Sequence, residues 1–293
     1  MIVIVDGNHL ASRCYFSSVK KGGLCTSYAK EVGLIYYLLN TFKAYYNRFT
    51  GKRNPFIVVW DSIGKTTKHA IFPEYKTGRK KFPEEYYQQI EDVINILNIL
   101  DIAQFRVPEI EADDIVGTLA LQARKLGNKV MIISGDHDFE QIISNSVSIL
   151  ASSPVGETIK DKEYVRKKYG IEAHEVFDMM CLTGCATDGI PGIPKVASVT
   201  AVKLLKAAGG LENVIKNIDT LKVSERIKNN VKSNWNLVEL NKQLVKIDCH
   251  LNNVQIEIHK RKPDFDKLKA AFEKLEFNRF LESFEKWKQS FEV

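Results

Sequence analysis

Between Pro108 and Gln141 the sequence reads PEIEADDIVGTLALQARKLGNKVMIISGDHDFEQ, and its acids come in two groups. Glu111, Asp113 and Asp114 open an amphipathic run continued by Ile115, Leu119 and Ala123, while Asp136 and Asp138 follow the apolar run Val130 to Ile133. An acid near a helix start gains about 0.3–1 kcal/mol from the helix macrodipole, and one acid meets that need. Carboxylates about 4 Å apart repel by roughly 4 kcal/mol at an effective dielectric near 20. Five of them in one place call for a cation. An all-carboxylate donor set suits a hard divalent ion, Mg²⁺ or Mn²⁺, far better than zinc.

The acids need elements to position them. Apolar runs near residues 2–5, 56–60 and 130–134 read as buried strands, and each empties into an acid: Asp6, Asp61 and Asp136. Residues 28–46 carry a helical stripe (Val32, Ile35, Leu38, Leu39, Phe42), and Pro83 opens a second helix with Tyr86, Ile90, Val93, Leu97 and Leu100 on one face. Strands alternating with helices predict an α/β fold, a central, mainly parallel, twisted sheet flanked by helices. In such sheets the carboxyl ends of the strands share one edge, where ligand sites form. One Asp after a strand is an ordinary turn former; three in succession point to a common site.

From Gly64 to Lys81 the chain turns basic, GKTTKHAIFPEYKTGRKK, with Phe72 and Tyr75 interleaved. A solvated loop would look the same, but basic side chains beside aromatic faces also suit a groove that tracks phosphates and stacks bases. Ser146 to Leu150 reads as a further strand followed by a turn through Pro154 and Gly156, and Lys160 to Lys168 as a basic helix or turn. From residue 176 the pattern is helical: VFDMMCL, the loop TGCATDGIPGIPKVAS, a helix N-capped by Ser198 and ended by Gly209-Gly210, and two amphipathic helices between Asp264 and Trp287 divided near Asn278 and packing back on the body. This predicts an α/β part over 1–175, with a basic arch at about 64–84, and a helical part over 176–293.

The formal net charge of +6 and pI of about 8.9 favour an anionic partner. The 5 cysteines include no C-x-x-C pair, which suits a reducing cytoplasm. The N-terminal apolar run is too short for a signal peptide, and no stretch would span a membrane.

The segments IVIVDGNHL, VVWDSIGKTTKHAIFPEYKTGRKK, EIEADDIVGTLA, IISGDHDFEQII, LTGCATDGIPGIP and KLEFNRFLESF, in that order, resemble the 5′→3′ exonuclease and flap endonuclease family, which includes bacteriophage enzymes and the nuclease domains of bacterial DNA polymerase I. The resemblance implies that Asp6, Asp61, Glu111, Asp113, Asp114, Asp136, Asp138 and Asp188 bind metal. It implies that Lys76 and Arg79 grip the reacting phosphate at the base of a helical arch, with Lys68 and Tyr75 beside them. Lys65, Lys80 and Lys81 would follow the strand through the arch. A helix-hairpin-helix bearing Gly192, Lys195, Ser198 and Lys203 would hold duplex DNA.

Two positions depart from the family pattern. Cys185 stands where the family has an Asp, so one oxygen ligand of the second metal site is missing and that site is weakened. Lys195 and Ala197 flank Val196 where glycines are common, leaving Lys195 to supply a phosphate contact. The implied activity is hydrolysis of DNA at 5′ ends and 5′ flaps, extending to RNA in RNA–DNA hybrids, by a monomer using two metal ions. The competing reading, resting on Cys185, is a structure-specific DNA-binding protein with little nuclease activity.

Overall fold

The computed structural model describes residues 1–49, 54–153, 155–256 and 262–292. Its centre is a sheet of strands β1 (Ile2–Asp6), β2 (Phe56–Val59), β3 (Ala103–Phe105), β4 (Val130–Ile133), β5 (Val147–Ser153) and β6 (Gly156–Lys160), in spatial order β3-β2-β1-β4-β5-β6. All neighbours pair in parallel except β5 and β6, which form an antiparallel hairpin at one edge. The helices are α1 (Gly7–Lys20), α2 (Gly33–Phe49), α3 (Thr67–Ile71), α4 (Glu84–Ile99), α5 (Ala112–Lys125) and α6 (Lys162–Tyr169). They continue as α7 (Val176–Thr183), α8 (Ser198–Ala208), α9 (Leu211–Asn217), α10 (Glu225–Ser233), α11 (Trp235–Leu244), α12 (Phe265–Lys274), α13 (Asn278–Glu282) and α14 (Phe284–Phe291).

β1 shows why the sheet is central. Side chains alternate along a strand, so Ile2 and Ile4 enter one core and Val3 and Val5 the other, all fully buried. The first core continues through α5 into α7, α8 and α11, so the late helices share the sheet's own packing. The second joins α1, α2 and α4 to α12–α14, where Phe272, Trp287 and Phe291 are buried against the N-terminal helices. The C-terminal segment thus packs back on the body, with Asp264 N–H donating to the Ile99 carbonyl at 2.9 Å.

Several elements differ from the sequence reading. Helix α2 begins at Gly33 rather than residue 28, because residues 24–32 turn back in a short loop with a Cys25–Glu31 bridge. A side chain at Gly33 would sit 1.8 Å from Ser18 Oγ, which fixes the close approach of α1 and α2. Helix α1 itself was not anticipated. Its cap is Asp6, whose Oδ1 accepts from His9 N–H at 2.9 Å. β3 is too short to show a period, and β6 is largely exposed, so its pairing with β5 rather than its composition makes it a strand. Pro154, in the expected turn between them, lies outside the described residues. Ser198 is the first helical residue of α8, with Ala197 at the cap and no side-chain cap bond, so the expected Ser198 cap is not formed. Gly209 does end that helix, in the left-handed region at φ 75°. The C-terminal stretch holds three short helices rather than two. None of the described helices is long and apolar enough to cross a membrane.

Candidate active site

The chain runs outward from β1 to β2 and β3 on one side, then crosses back to β4 and β5 on the other. The crevice at the carboxyl end of β1, where that direction reverses, is the position at which open α/β sheets bind ligands. Asp6 is the last residue of β1, while Asp61 and Asp136 lie just beyond β2 and β4. Helix α5 aims its N-terminus at the same edge, bringing Asp113 in its first turn, and its Ala112 N–H donates to Asp61 Oδ1 at 3.0 Å. Ser134 ties two of the acids together: its Oγ donates to Asp6 Oδ2 at 2.8 Å and accepts from Asp136 N–H at 3.0 Å. Asn8 Oδ1 accepts from Asp61 N–H at 2.9 Å.

Asp6, Asp61, Asp113 and Asp136 line one cleft of about 530 Å³ together with Lys76 and Arg79. Burial, reinforced by the charges of Asp61 and Asp136 against the opposing His9 and Ser134 hydrogen bonds, pushes the Asp6 carboxyl up to about 7. Burial and then Asp136 hold Asp113 well above the usual carboxylate range. These acids are packed where their own charge is costly, a cost that a bound cation would relieve.

The neighbouring acids are engaged otherwise. Glu111, the N-cap residue of α5, is 3 % exposed and accepts ion pairs from Lys68 Nζ at 3.1 Å and Lys76 Nζ at 2.7 Å. Burial alone would raise its pKa, but the two lysines override that and hold it at about 2. The Tyr75 hydroxyl lies 2.9 Å from Glu111 Oε2 and 3.1 Å from Asp188 Oδ2, bridging the two carboxylates. Asp188 also pairs with Arg79, and its carbonyl accepts from Lys76 N–H at 2.8 Å. Lys76 sits in the left-handed region, at φ 58°.

Three of the expected site residues are engaged by the chain itself. Glu111 is the counter-ion that anchors the basic segment, its oxygens taken up by Lys68 and Lys76. Tyr75 is 1 % exposed and Lys68 8 %, both turned inward onto Glu111. Helix α3 is a single short turn latched down by these contacts, while Lys65, Lys80 and Lys81 stay exposed.

Asp114 departs from the cleft as well. Its Oδ1 accepts from Asp248 N–H at 2.8 Å, on the side of α5 that faces the segment after α11. Burial raises its pKa against the opposing pull of Lys68. Asp138 turns toward Asp188 and Cys185, and one donor atom from each of the three lies within 4.8 Å of the others. Burial, then Asp136 and Asp188, push Asp138 up to about 7. Among the described residues this is the group of metal-type donors that closes to such spacing; the four cleft acids stand wider apart. The donor chemistry of the four, all carboxylate oxygen, fits Mg²⁺ or Mn²⁺, whereas the thiol makes the Asp138–Cys185–Asp188 group a poorer host for Mg²⁺.

In the late hairpin, a Cβ on Gly192 would lie 2.0 Å from the Thr183 carbonyl oxygen, so this glycine serves close backbone packing within the loop. Lys195 and Lys203 are exposed, Ser198 is half-buried and Val196 is buried.

Sequence reasoning missed the polar residues that orient the acids. Asn8, His9 and Ser134 stand beside Asp6 and Gly135, and adjacency to strand-end acids was the available signal. The His9 ring fills the space over Gly135, where a Cβ would come within 2.6 Å of it, and its Nε2 has no hydrogen-bond partner. Glu140 was missed too. It is fully buried and paired with Lys160 at 2.8 Å, Lys168 at 3.0 Å and the His137 ring at 3.0 Å. Those contacts outweigh burial and hold it at about 2, tying the Asp136–Asp138 loop to β6 and α6.

Known proteins resemble this chain in sequence and fold. Residues 1–170 match the model of the 5′–3′ exonuclease N-terminal resolvase-like domain, and residues 171–281 that of the 5′–3′ exonuclease C-terminal SAM fold. A 5′–3′ exonuclease of Buchnera aphidicola from Acyrthosiphon pisum is 33 % identical over 242 residues, 78 % of this chain and 81 % of that one. The thermostable DNA polymerase I of Thermus thermophilus is 35 % identical over 231 residues, 78 % of this chain but 27 % of the polymerase. The chain thus spans about a quarter of the polymerase relatives' length. In fold it is similar to the bacteriophage T5 flap endonuclease solved with DNA and metal ions, with a TM-score of 0.69 at 18 % identity, covering 84 % of this chain and 89 % of that one. With one family's two models meeting at residues 170 and 171, across the junction between the sheet and the late helices, the chain belongs to the 5′–3′ exonuclease family.

Proposed function

We propose that this protein is a divalent-metal-dependent 5′ nuclease that hydrolyses phosphodiester bonds of DNA at 5′ ends and 5′ flaps, and RNA strands in RNA–DNA hybrids. The observation that carries this reading is the set of buried acids at the switch point, with Asp6 and Asp113 pushed out of the ordinary carboxylate range in a cleft that also holds Lys76 and Arg79. The relatives named 5′–3′ exonuclease and the DNA-bound flap endonuclease fold support it and favour an enzyme over a DNA-binding protein without nuclease activity.

In this reading Asp6, Asp61, Asp113 and Asp136 hold Mg²⁺ or Mn²⁺, with Glu111 and Asp114 at the start of α5 adding their negative charge beside them. Asp138, Asp188 and Cys185 form a second, weaker position. When bound, such ions supply an activated water and stabilise the leaving oxygen. Ser134, Asn8 and the α5 N-terminus fix the orientation of the acids. Lys76 and Arg79 neutralise charge on the scissile phosphate, exchanging partners with Glu111 and Asp188 as they do so. Residues 1–175 act as the catalytic unit, and residues 176–293 steady the neighbouring duplex through phosphate contacts from Lys195 and Lys203. The protein works as a monomer.

A 5′-flap DNA duplex, incubated with excess protein under a Mg²⁺ or Mn²⁺ titration, tests the proposal. Metal-dependent release of the flap, abolished by EDTA, is expected. Binding of the flap with no cleavage at any metal concentration would leave the DNA-binding protein as the surviving reading.

A further inference from the structure

A second hollow, of about 430 Å³, lies between α5, residues 141–147, the start of α6 and the turn Ala173–Glu175. It opens at the other end of the sheet from the acids: Val147 is the first residue of β5, and Arg124 lies about 16 Å along α5 from Asp113 at 1.5 Å per residue. Among the described residues its lining holds Arg124, Lys162 and His174 and no carboxylate. The acids nearby in sequence are engaged elsewhere. Asp161 caps α6 by accepting from Tyr164 N–H at 2.9 Å, and Glu172 pairs with Arg166 at 2.6 Å. Lys162 rests on a neutral partner, its Nζ 3.2 Å from Asn145 Oδ1, while Arg124 and His174 are exposed and form no salt bridge among the described residues. Ser144 adds a further donor. Its Oγ accepts from Ser146 N–H at 3.3 Å and Val147 N–H at 3.2 Å, which leaves the hydroxyl proton for a ligand. The floor is apolar, with Ala120, Ile143, Val147 and Ala173 all buried. A basic rim over an apolar floor, at this volume, suits a small molecule with one charged and one apolar end.

We infer that this hollow binds a nucleoside monophosphate, with the phosphate held by Arg124 and Lys162 and the base laid against the floor. Charge selects the phosphate. A phosphomonoester carries about −1.5 to −2 at pH 7, which Arg124 and Lys162 together balance, whereas a carboxylate would leave one cation over. The Arg124 guanidinium can also meet two phosphate oxygens at once. The floor selects the other end: alanine, isoleucine and valine side chains give contact to a flat heteroaromatic ring and offer no partner to the hydroxyls of a sugar phosphate. The site is argued from its own residues and does not depend on what the acidic cleft does.

Calorimetric titration of the full chain in EDTA, with deoxyadenosine 5′-monophosphate, deoxyadenosine and inorganic phosphate as separate titrants, tests the site. The monophosphate should bind once per chain, and deoxyadenosine and phosphate each at least about tenfold more weakly. Arg124→Ala combined with Lys162→Ala should raise Kd for the monophosphate at least about tenfold, and an unchanged melting temperature would establish that the double variant is folded. Arg124→Glu alone, at an exposed position, should show the same loss. Lys76→Ala, which alters the acidic cleft, should leave that Kd unchanged. An unaltered Kd in the double variant, loss of binding in Lys76→Ala, no binding by wild type, or phosphate or deoxyadenosine binding as tightly as the monophosphate would overturn the assignment. Flap cleavage is a separate readout and stands or falls on the cleft.

Discussion

Two buried acidic clusters in this molecule start from the same cost and end in opposite states. Glu140 is sealed from solvent, but Lys160, Lys168 and His137 surround it, and its carboxyl is held at about 2. Asp6 is nearly as deeply buried, yet its neighbours are Asp61 and Asp136, and its carboxyl is pushed up to about 7. A buried charge is tolerated when its counter-ion comes from the chain. At the switch point the immediate neighbours of Asp6 are further acids, so its charge is suppressed by a proton or, on the proposed reading, offset by a bound metal ion. On the proposed reading Glu140 serves folding and Asp6 serves binding.

The contrast is broken most severely by Asp113→Ala. We expect flap cleavage to fall by at least about 10³-fold, roughly 4 kcal/mol of transition-state stabilisation, with DNA affinity retained. The metal-free protein should melt no lower than wild type, because a repelling charge has gone. Undiminished single-turnover cleavage would refute the cluster's role. Glu140→Ala should act in the other sense. Stranding Lys160 in the interior costs about 3–5 kcal/mol, read as a lower urea midpoint, and a midpoint equal to wild type would deny the cluster its structural role.

Lys76→Ala should slow the single-turnover cleavage rate by about 10²-fold, some 3 kcal/mol. Lys68 still offsets Glu111 in that variant, so a smaller stability loss than that of Glu140→Ala is expected. The acid clusters should also separate by pH. The folded chain binds a proton at Asp6 between about 4 and 7 that the unfolded chain does not. In EDTA its stability should therefore fall as pH rises through that window. Glu140 contributes a constant amount there, since its stabilisation is lost only as pH drops below its ordinary value of 4.5 toward 2. Melting temperature in EDTA should rise by several degrees from pH 7 to pH 5 and lose part of that slope in Asp6→Asn; an unchanged slope would refute the Asp6 assignment. Smallest of all, Cys185→Asp should tighten Mg²⁺ binding at the second position several-fold, as followed by calorimetry.

Much of this was legible in the sequence because β-branched runs ending in Asp are a local signal. β1, β2 and β4 and their acids could be placed without knowing what they touch. The late helices and the return of the C-terminal segment were legible through apolar periodicity. What escaped was set by tertiary contact. Lys68, Tyr75 and Lys76 look like surface residues of a basic loop, and only the approach of Glu111 and Asp188 turns them inward. Asp114 resembles Asp113, its neighbour, yet one helical step of about 100° points it at Asp248 instead of the cleft. β6 carries no apolar pattern at all, and its existence depends on its partner strand.

Asp188 clasps Tyr75, Lys76 and Arg79 from a position more than a hundred residues later in the chain. During synthesis, the basic segment that carries Lys76 and Arg79 therefore emerges from the ribosome long before its clasp. A nascent chain that already displays Asp6, Asp61, Asp113 and Asp136 still lacks the contact that fixes Lys76 and Arg79 beside them. The order of translation thus delays completion of the site until the late loop has been made and folded against the sheet.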